Sequence, residues 1–139
     1  MVEAKVKWTS GLRFEGTSLF GHPIATDASL AAGGDESGYK PTELLFFGLA
    51  GCTGIDVVNI LKKMRQELTG LEIEVKAFQP DEFPRPFNKI EVKYIFKGHN
   101  LERSKVEQAI KLSEDKYCAV SQTLGGMAKL TSDFEIIEG

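Results

Sequence analysis

Apolar and polar side chains alternate from the first residues of the chain. Val2, Ala4, Val6 and Trp8 fall on one side and Glu3, Lys5 and Lys7 on the other, the period of a half-buried strand. Ser10-Gly11 reads as a turn, and residues 12–20 as a second strand of mixed character, with Leu12, Phe14 and Phe20. Gly21-His22-Pro23 turns the chain into a short third strand, Ile24 to Asp27. Residues 28–40 carry Gly33, Gly34 and Gly38 with Asp35 and Glu36. The expectation there is a flexible loop of about a dozen residues, a length at which connections often carry function.

Pro41 suits the first position of a helix. From Leu44 to Leu61 that helix is apolar nearly all round, and such a helix is normally buried on every side. Its polar end, Lys62 to Glu67, continues into water, with Gly70 placed to stop it. Leu71, Ile73 and Val75 then alternate with charged residues, as do Ile90, Val92, Tyr94 and Phe96 further on. Pro80, Pro84 and Pro86 exclude a central strand between them. Asn100 is placed to cap a helix over 101–116, with Val106, Ala109, Ile110 and Tyr117 on its apolar face. A short helix from Cys118 to Leu124 ends at Gly125-Gly126, and a last strand uses Leu130, Phe134 and Ile136. The order βββ-α-ββ-αα-β lacks the regular alternation of a parallel doubly wound sheet and gives an α+β fold.

A chain of 139 residues fits one domain, spanning 1–139, and has little material to surround so apolar a helix. One face can be covered by its own strands. The other calls for a second copy, and Gly48, Gly51 and Gly54 allow close backbone approach. An intimate, two-fold homodimer is therefore expected. The rival is a membrane span. The run of 18 residues lies at the lower edge of what crosses a bilayer, and Asp56 at mid-membrane would cost roughly 2.5–3.5 kcal/mol. A core helix is the reading taken, without a membrane partner.

Net charge is −3 and no basic stripe is present, which argues against a nucleic-acid partner. The N-terminus shows no secretory pattern, and two cysteines are too few to staple a secreted fold of this size. A cytoplasmic location is expected, where a disulfide that does form tends to be catalytic or sensory. Neither the two cysteines nor His22 and His99, both beside turns, offer ligand spacing for a metal. The 48–54 glycines do not make a phosphate loop, no Gly-x-Ser-x-Gly is present, and Cys-x-x-Cys is missing. No metal and no cofactor are expected.

Cys52 and Cys118 remain. A cysteine on an apolar helix is by default a small core hydrophobe. Gly51, Thr53 and Gly54, however, leave room for a small molecule at Cys52, and Cys118 opens a helix, where a thiolate is favoured.

The segment Pro41-Thr42-Glu43-Leu44-Leu45, then Gly51-Cys52-Thr53, and 66 residues after Cys52 the run Tyr117-Cys118-Ala119-Val120-Ser121, resembles the OsmC/Ohr family over almost the whole chain. The resemblance implies an α+β, intertwined homodimer, with antiparallel sheets wrapped around long buried central helices. It implies reduction of organic hydroperoxides, with Cys52 as the attacking thiolate, Cys118 as the resolving thiol and an external dithiol as reductant. It offers Arg13, in Arg-Phe-Glu-Gly, as the thiolate's cation, with a solvated strand residue as the alternative. The chain departs from the family at Thr42, where peroxidatic members carry a glutamate, and at Ala119, where many carry proline. Glu43 stands next to the first departure, either to reach the arginine or only to favour the helix N-terminus. Phe46, Phe47 and Met127 are offered as pocket lining or as core. The alternative function is a non-catalytic module of the same fold that binds a small apolar or thiol-reactive ligand.

Overall fold

Strand alternation at the N-terminus folds into a small antiparallel sheet of β1 (Val6–Ser10), β2 (Arg13–Thr17) and β3 (Pro23–Thr26), in that order. The computed structural model describes residues 1–139 throughout, and its contacts divide into two compact units, Met1–Leu45 and Phe46–Gly139. β1 starts later than the alternation suggests, because β2 is short and the ladder ends at the pair Val6↔Gly16. It is also exposed along its whole length rather than half-buried. Gly11, at φ +52°, makes the turn that sets this register.

The loop over 28–40 is not flexible in the way its glycines suggest. Asp27, only 4% exposed, gathers it. The carboxylate accepts from the Ser37 hydroxyl, the Ser37 N–H (3.1 Å), the Ala28 N–H (2.7 Å) and the Asp35 N–H (3.3 Å). Gly34 lies so close to the Ala28 carbonyl that no Cβ would fit. A 3-10 turn, Leu30–Ala32, is capped by Ser29, and Tyr39 bonds back to Ala25 and Asp27.

These bonds, the Ser37 hydroxyl first, lower the Asp27 pKa from 3.8 to about 2. A carboxylate held low stabilises the fold above its unfolded value and loses that contribution as pH falls through its folded value. The loop should therefore loosen between about pH 4 and pH 2. Amide exchange at Asp35 and Ser37 should accelerate across that window, and Asp27→Asn should exchange fast at neutral pH.

Helix α1 (Pro41–Lys63) ends before the expected stop. Arg65 takes the left-handed conformation at φ +57°. The Gln66 N–H then bonds to the Leu61 carbonyl (2.9 Å) and the Arg65 N–H to the Lys62 carbonyl (3.1 Å), a Schellman closure made without glycine. Gly70 lies instead inside β4, beside a register shift.

The second unit is a three-stranded sheet of β4 (Glu67–Phe78), β5 (Lys89–His99) and β6 (Lys129–Glu138), with β5 in the middle. β4 and β5 are antiparallel. β6 departs from the antiparallel sheets that were expected and returns parallel to β5, through α2 (Arg103–Leu112), a π-helical turn (Ser113–Tyr117) and α3 (Ala119–Gly125). A parallel return needs such a crossover. One face of β5, Ile90, Val92, Tyr94 and Phe96, is buried in a single cluster with Leu49, Val57 and Leu61 of α1 and Val106, Ala109 and Ile110 of α2.

Asn100 does not cap α2. It sits at φ +53° and gives its N–H to Glu138, and Glu102 is the residue at the cap position. Tyr117 is 54% exposed and leaves the expected apolar face, because the π turn rotates it away from the α2 stripe.

α1 is long and apolar enough to cross a membrane, yet the edge carrying Leu49, Thr53, Val57 and Leu61 is buried. Its opposite edge is open. Ile55 and Val58 are 66% and 43% exposed, and a Cβ at Gly48 or Gly51 would meet nothing within 4 Å. Gly54 faces the other way, where a Cβ would stand 3.1 Å from Ile73 of β4.

Candidate active site: a thiol pair and a carboxylate

Cys52 lies in the middle of α1, and Asp56 follows it by one turn on the same face. Cys118 is fully buried and serves as the N-cap of α3, its sulfur accepting from the Ser121 N–H at 3.4 Å. The fold brings these three together. The two Sγ atoms and an Asp56 carboxylate oxygen all lie within 4.8 Å of one another.

The π turn holds this arrangement. Its first residue, Ser113, is fully buried. The Ser113 hydroxyl donates to Asp56 Oδ2 at 2.9 Å, and its carbonyl accepts the Cys118 N–H at 2.7 Å. One serine thus fixes both the carboxylate and the backbone of the second thiol. The Val120 N–H bonds to Cys52 and favours its thiolate, but burial outweighs it. Burial first, then the hydrogen bond with Cys118 and the charge of Asp56, push the Cys52 thiol above its ordinary value.

A polar network lies behind the pair. The Tyr94 hydroxyl donates to Glu114 Oε1 at 2.8 Å, and the Ser132 hydroxyl donates to Oε2 at 3.1 Å. The Thr53 hydroxyl also bonds to Tyr94, and Gln122 Nε2 donates to the Glu114 carbonyl at 2.7 Å. Burial raises the pKa of both Tyr94 and Glu114. Glu114→Ala removes the acceptor of a buried hydroxyl, so urea unfolding should show a loss of about 1–3 kcal/mol. Glu114→Gln keeps an acceptor for Tyr94 and should lose much less. A carboxyl held high costs stability as pH rises through its folded value. The amide variant should therefore gain on the parent protein as pH rises above the ordinary glutamate range.

The family model of OsmC-like proteins matches residues 33–133. The chain belongs to the OsmC-like family. A relative of this OsmC-like chain, Protein YhfA of Escherichia coli K12, is 35% identical over 136 residues, covering 98% of each chain. The crystal structure of a hypothetical protein from Aquifex aeolicus VF5 superposes with TM-score 0.88 at 30% identity, covering 100% of this chain and 98% of that one. The organic hydroperoxide resistance protein OhrB of Bacillus subtilis superposes with TM-score 0.62 at 22% identity, covering 97% and 98%, a likeness of fold. The α+β architecture read from the sequence is that of OsmC-like structures.

Arg13 and Glu43 belong to the N-terminal unit. The Arg13 guanidinium donates to Glu15 at 3.0 Å and to the Ser37 carbonyl. Glu43 Oε1 accepts the Lys40 N–H at 3.0 Å while the Glu43 N–H bonds to the Lys40 carbonyl at 3.0 Å, a reciprocal cap at the start of α1. No ion pair joins Arg13 to Glu43. Of the pocket-lining candidates, Phe46 packs edge-on to Phe87 beside the core, whereas Phe47 and Met127 are 60% and 80% exposed.

Sequence spacing gave no metal-ligand or acid–base signal at Asp56, which entered only as a charge unwelcome in a membrane. Its distance of four residues from Cys52 was the available clue. Ser113 and Glu114 had none, since a π turn of this kind leaves no mark in periodicity.

Proposed function

We propose that this OsmC-like protein reduces organic hydroperoxides with Cys52 and Cys118. The observation that carries the proposal is the placement of the two sulfurs within 4.8 Å of each other from elements 66 residues apart in sequence. The name of OhrB, on a shared fold, supports it.

The Cys52 thiolate attacks one peroxide oxygen. The O–O bond breaks, the alkoxide leaves and takes up a proton, and Cys52 becomes a sulfenic acid. The Cys118 thiolate then attacks the Cys52 sulfur, the sulfenic hydroxide leaves and takes up a proton to become water, and a disulfide forms. An external dithiol restores both thiols by two exchange steps. Arg13 is the cation the family pattern assigns to the thiolate, and Arg13→Ala should slow sulfenic acid formation. A reducing compartment such as the cytoplasm suits the cycle.

A free-thiol count before and after one equivalent of an organic hydroperoxide tests the reading. Loss of two thiols per chain, recovered by a dithiol, is expected. Two thiols still free after minutes would overturn it. That second outcome is favoured by one observation, the upward push on the Cys52 thiol. It would leave a non-catalytic module that binds a small thiol-reactive ligand.

A further inference from the structure

The geometry points to a divalent metal site at Cys52, Cys118 and Asp56, with Zn2+ as the cation it fits. Two thiols and one carboxylate are a zinc donor set. At zinc–sulfur and zinc–oxygen bond lengths, tetrahedral ligands stand about 3.5–3.8 Å apart. The three donor atoms already lie within 4.8 Å of one another, so small side-chain rotations complete the set.

Outer partners are also in place. Ser113 donates to Asp56 Oδ2, which orients the carboxylate and leaves Oδ1 free to ligate. The Ser121 N–H already donates to the Cys118 sulfur. Such contacts aim ligands and tune a metal site. An entry path exists as well. A surface pocket of about 400 Å³, lined by Asp56, Asn59, Lys63, Met64, Leu112 and Tyr117, reaches the carboxylate.

Charge points the same way. A bound dication takes both thiols as thiolates, with release of their protons, and offsets the negative charge that they and the carboxylate then carry. Three protein ligands leave a fourth position open to water or a small ligand, as in catalytic rather than closed structural zinc sites. A Cys52–Cys118 disulfide removes both thiolates, so metal and disulfide exclude each other. That last consequence alone rests on the redox reading.

The test is anaerobic titration of the reduced, chelator-treated protein with Co2+, followed by displacement with Zn2+. One equivalent per chain is expected, with thiolate-to-cobalt charge-transfer bands in the near ultraviolet that Zn2+ abolishes. Cys52→Ser and Cys118→Ser should each weaken these bands, and Asp56→Asn should weaken binding by at least about tenfold while the bands persist. Ser113→Ala, remote from the metal, should weaken binding by about tenfold. Circular dichroism melting of each variant separates misfolding from ligand loss. No thiolate band, or equal binding by protein whose two cysteines have been alkylated, would overturn the assignment. None of these readouts uses a peroxide, so the metal site can fail while the peroxidase stands, and the reverse.

Discussion

Cys52→Ser should consume no organic hydroperoxide above the rate of buffer, whereas Cys118→Ser should complete a single turnover and stop. The asymmetry follows from position. Cys52 is the partly exposed member, on a helix edge flanked by Gly51 and Gly54. Cys118 is fully buried at the cap of α3. A buried thiol cannot meet a bulky peroxide first, but it can meet a sulfenic acid formed beside it. The Cys118→Ser protein should therefore trap one sulfenic acid per chain, readable by mass after capture with a dione reagent. Equal residual activity in both variants would overturn the assignment. The pH dependence has a definite sign. Burial and neighbouring groups hold the Cys52 thiol above its usual range, so its thiolate fraction at neutral pH is small. The single-turnover rate should climb with pH past the value of an ordinary thiol.

The parent protein is expected to be a dimer at micromolar concentration and Ile55→Glu a monomer, as read by light scattering. The open edge of α1 is apolar where Ile55 and Val58 project and notched where Gly48 and Gly51 lie. A second copy packed there would meet the backbone at the notch and the two aliphatic side chains beside it. A buried, unpaired carboxylate costs several kcal/mol, and two-fold symmetry imposes it twice. Association should weaken by roughly a thousandfold or more. Gly51→Phe, which fills the notch without adding charge, should act in the same direction. A parent protein that is already monomeric would refute the dimer.

Periodicity carried most of the fold because most of it is periodic. β5 alternates so strictly that its buried residues, Ile90, Val92, Tyr94 and Phe96, could be named in advance. The all-apolar stretch of α1 was equally plain. Its two edges were not distinguishable, because Gly54 looks like Gly48 until Ile73 of β4 is found against it. Misreadings fell where local backbone chemistry overrides composition. Arg65 closes α1 in a conformation usually left to glycine, so the visible Gly70 misled. Asn100 has the side chain of a cap but the wrong dihedral angles to be one. Loop 28–40 looked loose because its order comes from Asp27, a residue outside it that accepts four hydrogen bonds. At the site, both cysteines were visible by type and family motif. Their proximity was not, since it depends on how α1 and the α2–α3 crossover lie on one sheet. Asp56 joined them for the same reason.

The first unit, Met1–Leu45, holds no buried apolar side chain. Trp8, Phe14, Leu19 and Phe20 are all exposed in the single chain, at 65%, 39%, 92% and 83%. Three short strands without an interior do not hold together in water unaided. For this part of the molecule, becoming ordered and acquiring a neighbour are expected to be one event. Its integrity is then governed by concentration: as the protein is diluted, the N-terminal ribbon should fray and be cut by proteases while the sheet of β4, β5 and β6 survives.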